Sequence, residues 1–227
     1  MIAAQSASLV YDDHGKEVFA CKSIDLSIRQ GEFLGILGPS GSGKSSLLYL
    51  LCGLKTPTGG SVTYNGRALA SLTDADRAAL RIKKFGFVFQ YPYLLGYLSA
   101  LENVVLACPG EDRVSEAQQL LASLGVGDKS HRLPHELSGG EKQRVCIARA
   151  LLGGREYIFA DEPTANLDHK NGLAVVETLV VNRGAGSLVL VTHDPVVLEH
   201  ADRVITITDG EILDEEVRTA QLPMEPA

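Results

Sequence analysis

The sequence predicts an α/β fold: a mainly parallel sheet, an antiparallel β subdomain ahead of it, and an α-helical subdomain inserted into it. Three observations carry this. First, short apolar runs at Phe33 to Leu37, Phe85 to Phe89, Tyr157 to Ala160 and Leu188 to Val191 read as buried strands, separated by helical segments. Second, the stretch Val18 to Ile28 alternates imperfectly, with Ile24, Leu26 and Ile28 on one face, as a half-buried strand does. Third, Tyr91 to Glu136 changes character. There Pro92, Gly96, Pro109-Gly110 and Pro134 separate helical stretches.

The organising stretch is Gly38-Pro39-Ser40-Gly41-Ser42-Gly43-Lys44-Ser45-Ser46, which fits G-x-x-x-x-G-K-[ST], the phosphate-binding loop. Its context is the required one, because Phe33 to Leu37 precedes it and Leu47 to Leu51 begins a helix after it. Glycine lets the backbone curl so that successive N–H groups converge on one anion. The helix beginning near Lys44 adds unpaired N–H groups and its positive end. Lys44 is placed to reach outer phosphates and the Ser45 hydroxyl to ligate Mg2+. The core is therefore read as that of a P-loop NTPase.

The remaining elements follow in order. Ile2 to Val10 is a strand leading to Tyr11, with Asp12-Asp13-His14-Gly15 as a turn. Tyr11 suits either a stacking partner for an adenine ring or an ordinary strand tyrosine. Arg29-Gln30-Gly31-Glu32 turns into the phosphate-loop strand. Ser61 to Tyr64 is a short strand closed by Asn65-Gly66, a hairpin signal. Asp74 to Lys84 is a charged helix, and the strand Phe85 to Phe89 stops at Gln90, which is either a polar cap or a metal-water ligand. Ser99 caps a helix with Glu102 at its third position, a capping box. Val114 to Leu124 sets Ala117, Leu120, Leu121 and Leu124 on one side.

Leu137-Ser138-Gly139-Gly140-Glu141 precedes the helical run Val145 to Leu152. Ser-Gly-Gly ahead of a helix suits an N-cap and equally an anion site. The strand Tyr157 to Ala160 ends in Asp161-Glu162, and Pro163 stops it there. An acid at such a strand end holds Mg2+ in phosphate-loop proteins, and the next acid polarises the attacking water. A helix from about His169 to Asn182, the strand Leu188 to Val191, and His193 at that strand's end come next. Ligands of parallel sheets bind at that edge. Val204 to Thr208, Asp209-Gly210 and Glu211 to Leu213 form a terminal hairpin. Residues 1–90 and 137–215 are expected to make the nucleotide-binding core, 91–136 an inserted helical lobe and 216–227 a loosely ordered tail, all within one domain of 227 residues.

Composition narrows the function classes. A net charge of −7 argues against broad phosphate neutralisation, so no nucleic-acid partner is expected. No apolar run approaches the ~18 residues that a membrane span needs, so a membrane role has to come through a partner. The first residues show no basic region followed by an apolar core, and no signal peptide is expected. Cys21, Cys52, Cys108 and Cys146 lie far apart without C-x-x-C spacing, which fits reduced structural thiols in a reducing cytosol.

Taken together, these motifs resemble the nucleotide-binding subunit of ABC (ATP-binding cassette) transporters, from Tyr11 to about Leu213. Gly38 to Ser46 resembles Walker A, and Gln90 resembles the Q-loop glutamine that touches Mg2+ and couples to the membrane partner. Leu137 to Glu141 matches the signature LSGGE. Asp161 resembles the Walker B aspartate, Glu162 the catalytic base, Ala165-Asn166-Leu167-Asp168 the D-loop, and His193 the switch histidine on the γ-phosphate. Tyr11 resembles the aromatic that stacks on adenine. The resemblance implies ATP and Mg2+ as cofactors and a head-to-tail homodimer. In that dimer, ATP on one Walker A is covered by Ser138, Gly139, Gly140 and Glu141 of the other copy. It also implies an integral membrane permease as partner, at the cytoplasmic face of the cell membrane.

Tyr11, Glu102-Asn103-Val104 and the stretch Ala160 to Asp168 further resemble the lipoprotein-release and macrolide-efflux subgroup. Its members pair with a four-helix membrane subunit bearing a large extracytoplasmic domain, and export is the direction this implies. Tyr91-Pro92-Tyr93 after Gln90 departs from the expected pattern. The rival classes are a soluble cassette ATPase of iron–sulfur assembly, a cassette transmitting force to cell-wall enzymes, and an ATP-binding regulator. The interval between Walker A and the signature holds no sustained heptads, which excludes a DNA-repair cassette with a long coiled coil. A single cassette disfavours a translation factor. Glu162 and His193 together disfavour a regulator without turnover.

Overall fold

The structure, a computed structural model, describes residues 1–110, 112–165, 167 and 169–218. Two sheets organise the chain. Strand β1 (Ile2–Asp13) pairs antiparallel with β2 (Lys16–Ile28) through a turn at His14-Gly15, and also with β4 (Gly59–Tyr64), which continues into β5 (Arg67–Ala68). This four-stranded sheet has the order β2-β1-β4-β5. It is the antiparallel subdomain expected from the alternating stretch. Asp12 and Asp13, read as part of the turn, instead extend the ladder opposite Glu17 and Lys16.

The second sheet has the order β10-β9-β3-β8-β7-β6. Strands β3 (Phe33–Leu37), β6 (Phe85–Val88), β7 (Tyr157–Asp161), β8 (Ser187–Thr192) and β9 (Arg203–Thr208) run parallel. Only β10 (Glu211–Val217) is antiparallel, as the return arm of the terminal hairpin. The parallel strands are buried on both faces, so their runs are apolar throughout. Their side chains alternate between two cores. Ile158, Ala160, Leu188 and Leu190 enter the core shared with the helices. Tyr157, Phe159, Val189 and Val191 enter the other, with the antiparallel sheet and the first helix.

Helix α1 (Lys44–Leu51) packs on the second core, and Leu47, Leu48, Leu50 and Leu51 are fully or almost fully buried there. Helix α2 (Asp74–Lys84) begins at an N-cap Thr73 that accepts from Asp76 N–H, and carries acids in its first turn and bases in its last, complementing its dipole. Between β6 and the signature stretch lie α3 (Ala100–Val105) and α4 (Val114–Ser123). The capping box of Ser99 and Glu102 is formed, and Asn103, fully buried, donates to the carbonyls of Leu95, Leu98 and Ser99. Ala117 and Leu121 of α4 are buried, as the amphipathic spacing requires.

Helix α5 (Gly139–Leu151) starts earlier than its apolar run at Val145, because Ser138 caps it directly. Helix α6 (His169–Asn182) spans the expected residues. Glu32 and Arg203, both almost fully buried, tie the starts of β3 and β9. Arg203 Nε donates to Glu32 Oε1 at 2.7 Å. Most of the expected tail lies outside the described residues, whereas Glu216 and Val217 belong to β10.

Candidate functional site

Parallel register brings three loops to one edge. Leu37 pairs with Thr192, and Asp161 with Val191, so β3, β7 and β8 end at the same level. The phosphate loop leaves β3, Glu162 follows β7 and His193 follows β8. This is the carboxyl edge, where open α/β sheets bind ligands. A cleft of about 690 Å³ lies over it, lined by Pro39 to Ser46, Gln90, Glu162, Ala165 and His193, with Val18, Phe19 and Ala20 of β2 along one wall.

The loop is built for an anion. Its N-cap, Gly43, sits at φ +100° and supplies no side-chain cap, and the first turn of α1 holds no acid. The helix's free N–H groups and positive end are thus left for an external charge. Ser42 Oγ is buried without a hydrogen-bond partner, a position that suits an acceptor oxygen of a bound group. Lys44 is buried. Its Nζ donates to Pro39 O at 2.7 Å and stands 3.9 Å from Glu162 Oε1.

A metal-compatible pair sits beside it. Ser45 Oγ donates to Asp161 Oδ1 at 2.7 Å across 116 residues of sequence. Tyr49 OH donates to Asp161 Oδ2 at 2.9 Å. Burial, then the Asp161 charge and hydrogen bond, raise the Tyr49 phenol above its usual range. Among the described residues no cluster of three His, Cys, Asp or Glu could hold a metal. A cation here would be held by few protein oxygens, completed by phosphate oxygens and water. That is the habit of Mg2+, and Ser45, Asp161 and Gln90 fit it.

Glu162 adopts φ +46°, a left-handed conformation that costs a non-glycine residue energy. Its N–H is fixed on Val191 O at 2.9 Å, and its carboxylate lies 3.0 and 3.2 Å from His193 Nδ1. Gln143 of α5, buried, donates to Pro163 O at 2.8 Å, which ties the loop carrying Glu162 to that helix. A carboxylate, an imidazole and a lysine thus converge around a cradle for phosphate.

Two groups of expected site residues lie elsewhere. Tyr11, exposed, sits on β1 opposite Val18 with Lys55 over its ring at 5.8 Å, and it does not line the cleft, whereas Phe19 does. Ser138, Gly139, Gly140 and Glu141 do not line it either. Ser138 and Glu141 close a capping box, and Glu141 pairs with Lys129 at 2.5 Å. The hydrogen bond from Lys129, and then those from Ser138, hold the Glu141 carboxyl down at about 2. Ser138 and Gly139 are exposed at the head of α5. Asn166 and Asp168 lie outside the described residues. Sequence reasoning missed Phe19, Tyr49 and Gln143. Tyr49 was detectable only by its spacing, one helical turn after Ser45.

Comparison with known proteins identifies the family. Residues 21–165 match the family described as ABC transporter. The chain is 43% identical over 220 residues to an uncharacterized ABC transporter ATP-binding protein of Methanocaldococcus jannaschii, covering 94% of this chain and 98% of that one. It is 44% identical over 203 residues to the lipoprotein-releasing system ATP-binding protein LolD of Aquifex aeolicus, covering 87% and 91%. With the macrolide export ATP-binding/permease protein MacB of Aggregatibacter actinomycetemcomitans it shares 42% identity over 95% of its own length but only 34% of that longer protein. The solved dimeric ATP-binding cassette MJ0796, in a post-hydrolysis state with ADP and Pi, superposes with a TM-score of 0.88 at 36% identity, covering 96% of this chain and 98% of that one. The chain therefore belongs to the ABC transporter family, as an ATP-hydrolysing cassette of the kind found in LolD and MacB.

Proposed function

We propose that this chain is the motor subunit of a membrane transporter, working as a head-to-tail pair that closes on ATP and drives an exporter of the lipoprotein-releasing or macrolide-export type. One observation carries the reading. The chain holds a phosphate cradle complete with Glu162 and His193, while Ser138 and Gly139 stand exposed at the head of a different helix. A second copy supplies those N–H groups to the open side of the cleft. Phe19, on the β2 wall of the cleft, and Tyr11, on β1 outside its lining, are the aromatic candidates for the adenine.

Within the closed site, Lys44 exchanges Pro39 O for phosphate oxygens and offsets their charge. Ser45, Asp161 and Gln90 would hold Mg2+, which when bound would supply charge neutralisation at the phosphates. Glu162 orients the attacking water and takes its proton, and His193, in contact with that carboxylate, reaches the γ-phosphate to stabilise the charge that develops there.

The membrane partner has a seat beside Phe89, the residue before Gln90 in the chain. A groove of about 510 Å³ is lined by Leu54, Ile82, Phe87, Phe89, Tyr93 and Leu106 among others. Ile82, Tyr93 and Leu106 are about half-exposed or more. A cluster of this kind marks an interaction surface. Among the described residues no helix is long and apolar enough to cross a membrane. The reading places the permease, of four-helix type with an extracytoplasmic domain, on this groove, with residues 91–136 as the lobe that moves and the cytoplasmic face as the location.

The test is Glu162→Gln. Turnover should fall by about 100-fold or more, ATP binding should persist, and an ATP-dependent dimer should accumulate on size-exclusion chromatography. Unchanged turnover refutes the assignment of Glu162. A detergent pull-down from native membranes tests the partner: recovery of a soluble scaffold in place of a membrane subunit removes the transporter and leaves the ATPase.

A further inference from the structure

The carboxylate of Asp161 is gripped at both oxygens by one face of one helix. Ser45 donates to Oδ1 at 2.7 Å and Tyr49 to Oδ2 at 2.9 Å. The two donors stand four residues apart on α1 and so project on the same side. Asp161 is buried at the end of β7, where strand β8 fixes its backbone level. Its remaining freedom is rotation of the carboxylate about its own axis. Ser45 alone would leave that rotation open, because a single hydroxyl on Oδ1 acts as a hinge. A second donor on Oδ2 closes it.

The chemistry of the donor is also specific. A lysine or arginine at position 49 would hold the carboxylate and cancel its charge. The phenol holds it and leaves the full negative charge in place, with acceptor capacity on both oxygens. Ser45 can turn a lone pair toward a cation while its hydrogen stays on Asp161 Oδ1, and Tyr49 lies a turn further along α1, outside the residues that line the cleft. Its bond to Asp161 is therefore free to persist through the cycle.

We propose that Tyr49 is a positioning residue that fixes the orientation of the Asp161 carboxylate toward the divalent cation of the nucleotide complex. The inference rests on the reading of the cleft as a metal–nucleotide site. Partners of this outer kind typically carry ~10–100-fold in metal affinity.

Tyr49→Phe removes one oxygen and keeps the ring, so packing of α1 against the core is retained. The variant is compared with its parent in a Glu162→Gln background that does not turn over. Two quantities are measured: affinity for a fluorescent ATP analogue in EDTA, and Mn2+ affinity of the nucleotide complex by electron paramagnetic resonance. The expected result is Mn2+ binding weakened about 10-fold, with metal-free nucleotide affinity unchanged within about two-fold. Equal Mn2+ affinity in parent and variant overturns the role of Tyr49. A loss of the same size with and without metal also overturns it, since Tyr49 would then act through packing. If the parent itself binds no nucleotide, the reading of the cleft falls, a failure distinct from that of Tyr49.

Discussion

Replacing Gly43 with alanine tests whether the phosphate cradle depends on contact between the loop and the antiparallel sheet. At φ +100° an L-residue lies beyond the left-handed well, at a cost of about 1–3 kcal/mol. Strain is only the first charge against it. A Cβ at Gly43 would stand 2.0 Å from the carbonyl oxygen of Ala20 on β2, where the closest comfortable C···O approach is ~3.3 Å. The loop or the strand must therefore yield by more than about 1 Å, a displacement that costs on the order of 100-fold in a positioned site. Gly41 is the internal control. Its φ is +79°, and an added Cβ meets nothing within 4 Å, so Gly41→Ala carries strain without collision. Nucleotide affinity by fluorescence titration and thermal unfolding are the assays. Both variants should melt lower, and only Gly43→Ala should lose about two orders of magnitude in affinity. Equal affinities for the two variants would refute the argument that β2 forms the wall of the cradle.

Two further outcomes follow from buried groups. Glu32→Gln leaves the Arg203 guanidinium buried with half its compensation, since Glu215 still accepts from it. Breaking such a pair costs about 3 kcal/mol, or on the order of 6–12 °C for a chain of this size, and a melting temperature within a degree of the parent would contradict it. Burial pushes the thiols of Cys21 and Cys52 up to about 12. Because the folded value is raised, the stability linked to these groups is fully present below the unfolded thiol range, near 9, and is lost as pH rises toward 12. Intact protein should resist iodoacetamide at pH 8 and react on unfolding; rapid labelling of Cys21 or Cys52 in the folded state would overturn this.

Much of the architecture was legible from the chain because its determinants are local. Phe33–Leu37, Asp74–Lys84 and His169–Asn182 were bounded correctly from apolar runs, caps and turn residues, and the Ser99 capping box formed as its spacing required. The phosphate loop was equally visible, since its anion site is made by consecutive backbone groups and needs no distant partner. The start of α5 was read too late because glycine is a poor helix former, and the cap at Ser138 outweighed that propensity.

Other features needed the assembled molecule. Ser45 meets Asp161, and Glu162 meets His193, only through the parallel register of β3, β7 and β8, and no local pattern encodes which strands become neighbours. Phe19 reaches the cleft wall because the β1–β2 hairpin is laid against the phosphate loop. Tyr49 looked like one more apolar residue of a buried helix until Asp161 was set beside it. Strand and helix identity follow from the few residues around each position. The site is a property of through-space contacts between separate segments, 116 residues apart for Ser45 and Asp161 and 31 for Glu162 and His193, which exist only once the sheet has closed.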